Sequence, residues 1–322
     1  MKTSKATEKN INIAAKLLLK GGIVAFPTET VYGLGALASD NKSIERVYAV
    51  KGRPKNNPLI VHAYDINQIL AITKNIPINA HILIKKYWPG PLTLILPYKT
   101  SSNISPIARA NLKTVAVRIP NHPIALKLLK TVNAPLIAPS ANISQHLSPT
   151  KASHVKKDLG ENLINENDMI LDGGKTSIGL ESTVIDFTRN KPVILRPGGL
   201  NINTINKDVK VSYIDKKSNN TQPISPGLFK KHYAPNASLR LNAKFPMVGE
   251  VWLGFGKDPK NIEYFKKMNL SLTGDLNEAA TNLFSMLRLL DKKNIKNIAI
   301  KSIPNKEIGV AINDRLNRGA SN

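Results

Sequence analysis

Polar residues able to do chemistry stand in short groups, each where an apolar run ends. "FPTETVYGL", residues 26–34, sets two threonine hydroxyls, Glu29 and Tyr32 between Pro27 and Gly33. A surface turn selects Gly, Asn, Asp or Ser, and a core strand has no use for an unpaired carboxylate. The stretch therefore has the makeup of a cup for something polar. "KGRPKNNPL" places Lys51, Arg53, Lys55, Asn56 and Asn57 after a helix and before a strand, with Arg53 expected at the surface. A guanidinium fork and an ammonium this close in sequence can meet adjacent phosphate oxygens. A solvated basic turn at a helix C-terminus competes with that reading. "LIAPSANISQHLSPT" runs a strand into Pro139, Ser140 and Asn142, at the carboxyl end where open α/β sheets take ligands, or makes a plain Ser/Asn turn. "GLESTVIDF" brings Glu181, Ser182 and Thr183 to the entrance of another strand, and "ILRPGG" ends one in Arg196. Arg118, inside "AVRIP", is a charge in an apolar strand; it needs a carboxylate, either the protein's own or a ligand's.

Other chemistries lack their residues. With no cysteine there are no disulfides, no thiolate nucleophile and no Cys-ligated zinc. "GGKTSIG" contains GKT but not the upstream glycine of a phosphate loop, and neither GxSxG nor HExxH occurs. His62, His81, His122, His146, His154 and His232 show no paired metal-ligand spacing, and no protein metal site is expected. Lys and Arg outnumber Asp and Glu by 46 to 22, for a net charge of +24. The excess is spread along the chain, which suits steering of anionic ligands such as nucleotides or RNA and equally suits a Lys-rich composition. No apolar stretch approaches a membrane span and the N-terminus has no signal-peptide core, so no membrane partner is expected and a cytoplasmic location is.

Helices and strands alternate along the chain. "NINIAAKLLLKGG" reads as an amphipathic helix with Ile11, Ala14, Ala15 and Leu18 on one face. "SDNKSIERVYAVKGRP" reads as a capped one stopped by Gly52 and Pro54, and "INAHILIKKYWPG" as a third. "IVAF", "PLIVHA", "LTLILP", "TVAVRIP", "APLIAPS", "STVIDF" and "PVILRPGG" are short apolar strands of the kind covered on both faces. Residues 1–206 read as one α/β domain on a mixed sheet. Residues 207–235 are polar, rich in Ser, Asn and Pro, and read as a linker. Residues 236–322 carry strand, helix, strand and helix and read as a small second α/β domain.

Taken in order, "KGGIVAFPTETVYGLG", "KGRPKNNPLIVH", "PGPLT", "VAVRIP", "APSANISQHLSPT", "ESTVID", "ILRPGG" and "SPGLFKKHYAP" resemble the threonylcarbamoyl-AMP synthases of the YrdC-like superfamily. The likeness spans essentially the whole chain. It implies the long form: an α/β YrdC-like domain with a twisted mixed sheet, and a small C-terminal Rossmann-like domain joined by an ordered linker. One departure is local: "NKEIGVAINDRL" lacks the glycine pair often seen before the last helix. The implied reaction joins L-threonine, bicarbonate and ATP, with Mg2+ on the ATP, into L-threonylcarbamoyl-AMP and pyrophosphate. That is the first step toward threonylcarbamoyladenosine at position 37 of tRNA, completed by a downstream transferase machinery. Lys51, Arg53, Ser140 and Asn142 form the K-x-R and S-x-N signature, the expected catalytic set. Thr30, His62, Arg118, Ser140 and Ser182 are expected at threonine, with Arg118 on its α-carboxylate. Lys51, Arg53, Asn57, Thr114, Ala138, Ser148, Arg196 and Tyr233 are expected at ATP, and Asn142 near a phosphate or its magnesium. "SPGLFKKHYAP" would close over the nucleotide as a lid. A non-catalytic double-stranded-RNA-binding module of the same domain type is the alternative. A carbamoyltransferase of the hydrogenase-maturation type is excluded in its full form by length and by the missing cysteines.

Overall fold

Buried strands pair edge to edge wherever their apolar runs can be covered from both sides. The computed structural model describes residues 2–163, 166–213, 232–262 and 265–321. Its larger sheet runs, in spatial order, Lys2–Lys5, Met169–Asp172, Val24–Pro27, Tyr32–Leu37, Leu136–Ile137, Ile60–His62, Thr114–Arg118, Leu92–Pro97, Thr183–Asp186, Val193–Arg196 and Ser212–Tyr213. The sheet is mixed: Ile60–His62 is parallel to Thr114–Arg118, for example, while Thr114–Arg118 is antiparallel to Leu92–Pro97.

Helices cover it according to their apolar faces. Helix Glu8–Leu19 starts on the Thr7 hydroxyl, which accepts from the Asn10 amide, and buries Ile11, Ala14, Ala15 and Leu18. Together with helix Pro123–Val132 it packs on Val24, Phe26, Leu136 and Met169. Helix Asn41–Lys51 is capped by Asp40, buries Ile44, Val47 and Tyr48 on the opposite side, and ends at Gly52 in the left-handed conformation, φ 59°. Glycine adopts that conformation without the strain a Cβ adds, so the turn delivers Lys51 and Arg53 to one end of the sheet.

Several elements differ from expectation. Strand Met169–Asp172 and helix Pro123–Val132 were not expected, and strand Ser212–Tyr213 falls inside the expected linker. The two that follow have clear physical reasons. "FPTETVYGL" is a hairpin rather than a strand end: Pro27 faces Tyr32 in the antiparallel register, and residues 28–31 are its turn. Strand Tyr32–Leu37 carries two glycines, which weaken strand preference. They are there for space, because a Cβ on Gly33 would lie 3.1 Å from that of Ala138 and one on Gly35 would lie 2.7 Å from the Phe26 ring. Strand Lys2–Lys5 hides in a lysine-rich terminus and forms a sheet edge, where lysines discourage further pairing.

The second domain is a parallel sheet in the order Ser238–Ala243, Asn297–Lys301, Glu250–Gly254, Lys267–Asn269, with helices Leu276–Leu290 and Gly309–Ala320 packed on it. Its two outer strands escaped the sequence reading because they are short and largely exposed or half-buried. The domains share a core: Val31, Leu147, Leu180 and Tyr233 pack with Leu283, Phe284 and Leu316. Arg288 forks onto both oxygens of Asp158 across the boundary. Most of the expected linker, residues 214–231, lies outside the described residues. Among the described residues no helix is long and apolar enough to cross a membrane.

Leu18 and Leu19 test this packing side by side, since Leu18 is fully buried and Leu19 is 55% exposed. Leu18→Ala should cost roughly 2–5 kcal/mol, and Leu19→Ala within about 0.5 kcal/mol, read from urea unfolding midpoints. Equal losses would place the helix face wrongly.

Candidate active site

The hairpin turn is built by one hydroxyl. Thr28 Oγ1 lies 2.6 Å from the Val31 carbonyl, to which it donates, and accepts from the amides of Thr30 and Val31 at 3.2 Å. Thr30 Oγ1 pairs with Thr28 Oγ1 at 2.8 Å and accepts from Arg118 Nη1 of an adjoining strand at 3.0 Å. Arg118 ends its strand beside His62 in register. The carboxylate that its burial demands is Glu29, 2.7 Å away and itself buried. Of the two sources open from sequence, the protein supplies this one. Arg118 Nε is held by the Gly90 carbonyl at 3.1 Å. Ser182 shares a 2.7 Å hydroxyl pair with Thr93 from the next strand. Thr28, Thr30, His62, Arg118, Ser140 and Ser182 thus line one cavity.

Its other lining is cationic and aromatic: Arg53, Arg196, His232 and Tyr233, with Glu181. Arg53 is buried, not the surface residue expected from sequence, because its Nε and Nη2 donate to the carbonyls of Asn57 and Pro58 at 3.1 and 2.9 Å and close the turn on itself. Arg196 donates from Nε and Nη2 to the Ser182 carbonyl at 3.1 and 2.9 Å. All these partners are neutral oxygens, so neither guanidinium is charge-compensated by them. The Arg196 strand can come this close because Gly198 has no side chain; a Cβ there would lie 2.3 Å from the Glu181 carbonyl. Glu181 itself is taken elsewhere: Ser148 donates to Oε1, and Arg315 of the second domain to Oε2 at 2.8 Å. Burial opposes its ionisation, but Arg315, Arg196 and Ser148 outweigh that and hold its carboxyl below its usual value.

Burial and the neighbouring Arg118 push His62 down to about 3. Its Nδ1 lies 3.2 Å from the Ile60 carbonyl; a carbonyl only accepts, so the proton sits on Nδ1 and Nε2 is left as an acceptor. His232 is likewise held at about 3, chiefly by burial, which Glu181 opposes and Arg53, Arg196 and Lys51 reinforce. Both rings are neutral near pH 7.

Of the remaining expected residues, Lys51, Asn57, Thr114, Asn142 and Ser148 stand outside the cavity lining. Lys51 is buried, and its ammonium donates to the Ser140 and Asn142 carbonyls. The K-x-R and S-x-N motifs are therefore in contact through backbone, and burial followed by Arg53 lowers the Lys51 pKa well below its ordinary value. Asn142 points its amide nitrogen at the Ile143 and His146 carbonyls, which leaves Oδ1 buried without a donor among the described residues. Asn57 supports Arg53 through its carbonyl, and Ser148 orients Glu181. Thr114 opens the strand that Arg118 ends, about 13 Å away by strand rise and on the same face by alternation. Ala138 does line the cavity. Of the expected lid, Tyr233 and His232 are in the cavity wall, while residues 225–231 lie outside the described residues. Sequence reading left Thr28, His232 and Glu181 off its site. The hydroxyl spacing in "TET" and the His-Tyr pair were the available signals; nothing in sequence announces that Glu181 meets Arg315.

The chain matches two family models, one described as telomere recombination over residues 16–198 and one as threonylcarbamoyl-AMP synthase, C-terminal domain, over 200–321. It is 40% identical to the threonylcarbamoyl-AMP synthase of Bacillus subtilis, covering 95% of this chain and 92% of that one. Against the synthase of Pyrococcus abyssi it is also 40% identical, over 97% and 94%. The crystal structure of P. abyssi Sua5 complexed with L-threonine superposes with a TM-score of 0.87 at 37% identity, covering 99% of this chain and 96% of that one.

His62 makes a stability prediction. Its folded pKa of about 3 lies below the unfolded value near 6.5, so the unfolded chain binds a proton that the folded one refuses. Stability is full above about pH 6.5 and falls as pH drops toward 3. His62→Gln should flatten that acid limb in unfolding free energies measured across pH. A variant as acid-sensitive as wild type would contradict the neutral ring.

Proposed function

Since the chain belongs to the threonylcarbamoyl-AMP synthase family, we propose that it makes L-threonylcarbamoyl-AMP and pyrophosphate from L-threonine, bicarbonate and ATP, with the product passing to a transferase that modifies adenosine 37 of tRNA. One observation carries the reading: a single cavity joins a cup of hydroxyls around Arg118 to two guanidiniums, Arg53 and Arg196, whose protein partners are neutral carbonyls. Buried cations of this kind are built to receive an anion.

Threonine nitrogen and bicarbonate carbon join with loss of water, giving an N-carboxylate. One of its oxygens attacks the α-phosphorus of ATP, an O–P bond forms, the bond to the β-phosphate oxygen breaks, and pyrophosphate leaves with the electron pair. No side chain is needed as nucleophile. The protein aligns two substrates and stabilises charge that grows on the phosphates. Arg118, fixed by Glu29 and Thr30, takes the α-carboxylate. His62 Nε2, an acceptor at neutral pH, and the Thr30, Ser140 and Ser182 hydroxyls read the amino acid's hydroxyl and amino group. Arg53 and Arg196 take phosphate oxygens, the Tyr233 ring covers the nucleotide, and Lys51 holds the Ser140–Asn142 loop in place. Ala138, Asn57, Ser148 and Thr114 belong to the nucleotide side, Thr114 at its far end. Magnesium on ATP needs few protein ligands; the orphan Oδ1 of Asn142 is an oxygen of the right kind, and the ion when bound neutralises phosphate charge. The chain-wide positive charge would draw ATP, and RNA with it, toward the surface. A cytoplasmic location follows from these substrates.

The test is pyrophosphate release from ATP with threonine and bicarbonate omitted in turn. Release should require both. Serine lacks one methyl and should compete weakly, a methyl being worth roughly 1–3 kcal/mol. Valine, which leaves the hydroxyl's partners unpaired, should do worse. Release independent of threonine and bicarbonate, or valine used as well as threonine, would refute the assignment.

A further inference from the structure

Arg315 sits on helix Gly309–Ala320 of the second domain, is 1% exposed, and directs its guanidinium to Glu181 in the wall of a cavity lined mainly by first-domain residues. Nε donates to Glu181 Oε2 at 2.8 Å. Nη1 donates to the Pro197 carbonyl at 2.9 Å, one residue past Arg196, and to Asp314 at 2.6 Å. Its central carbon lies 4.9 Å from the centre of the Tyr233 ring. The same helix accepts the His232 amide at the Arg318 carbonyl, 3.3 Å. It also passes the Tyr233 carbonyl closely at Gly319, where a Cβ would lie 2.9 Å from that oxygen.

The charge bookkeeping gives these contacts a purpose. The proposed phosphate site needs Arg196 free of a direct carboxylate partner, yet Glu181 lines the same cavity and the two interact. A buried carboxylate must find a cation. Ser148 occupies one of its oxygens and Arg315 the other. Remove Arg315, and the cavity cation already interacting with Glu181 is Arg196, a group an anionic ligand would use.

We propose that Arg315 is a positioning residue of the reaction: it ties Glu181 to the second domain and thereby keeps Arg196 available for the phosphates of ATP. The second domain then contributes a charge to the site as well as a surface for packing. The inference rests on the synthase reading for the identity of the anion, but its electrostatic part concerns the affinity for phosphates alone. It also accounts for the "INDRL" stretch of the last helix, to which the chemistry of the first domain assigns nothing.

The experiment uses the full chain and compares wild type, Arg315→Met, Glu181→Gln and the double variant. ATP and inorganic tripolyphosphate binding are measured by calorimetry, the Michaelis constants for ATP and threonine by pyrophosphate release, and folding by thermal melting. A charge-assisted contact is worth about 1.5–3 kcal/mol, so Arg315→Met should weaken both polyphosphate ligands by roughly ten- to a hundredfold with the threonine Michaelis constant changed little. Glu181→Gln alone should bind ATP at least as tightly as wild type. The double variant should recover to within about threefold of wild type, because the carboxylate that Arg315 restrained is gone. A merely structural arginine predicts the reverse, two lesions that add. The proposal is overturned if the double variant binds no better than Arg315→Met, if Arg315→Met weakens threonine as much as ATP, or if Glu181→Gln loses tenfold or more. The last measurement decides the matter even if Arg315→Met fails to fold. Should wild type release pyrophosphate without threonine or bicarbonate, the synthase reading falls, and the tripolyphosphate series still decides the role of Arg315.

Discussion

A guanidinium can be buried without a carboxylate only if other oxygens take its protons, and that constraint organises the site. Arg53 and Arg196 are both held by main-chain carbonyls, from Asn57, Pro58 and Ser182. Carbonyls satisfy hydrogen bonds but leave the positive charge in place, whereas a carboxylate would cancel it. Holding them this way goes with a turn that folds back on itself at Arg53 and a close approach at Gly198, while Glu181 in the same cavity wall is bonded to Ser148 and Arg315. The tight turn after Gly52, the strand crossing at Ser182 and the docking of the second domain all serve that arrangement.

The opposite end of the cavity follows the opposite rule. Arg118 does have its carboxylate, Glu29, and the pair is nearly neutral as a unit. A compensated guanidinium suits orienting a small amino acid, where specificity comes from hydroxyl and amide hydrogen bonds and not from net charge. The same cavity therefore separates two electrostatic jobs: a neutralised, hydroxyl-rich cup, and an uncompensated cationic floor. With His62 and His232 both neutral near pH 7, the field across it is set by the arginines and the carboxylates they meet.

Much of this was legible in the residues. Apolar runs of buried-strand type, the caps at Thr7 and Asp40 and the stop at Gly52 place most elements of the first domain correctly, because each depends on local pattern and backbone preference. Thr30, Arg118, Ser140, Ser182 and Arg196 stood out as polar groups in or beside apolar strands, His62 and Tyr233 entered through the family resemblance, and all meet in one cavity. The lone charge in "AVRIP" demanded a carboxylate, and one is there.

What the sequence by itself determined is the alternation of elements, the two-domain division and the kinds of side chain available, since periodicity, capping and composition are properties of neighbours along the chain. Tertiary structure alone decided how the charges are distributed. That Glu29 belongs to Arg118, that Lys51 ties backbone instead of facing the cavity, that Ser148 orients Glu181, and that Arg315, 134 residues away in sequence, completes its neutralisation could not be read from spacing. Electrostatic pairing depends on distance and burial in space, and a chain of 322 residues with 46 basic side chains offers far too many possible partners for each of its 22 acids.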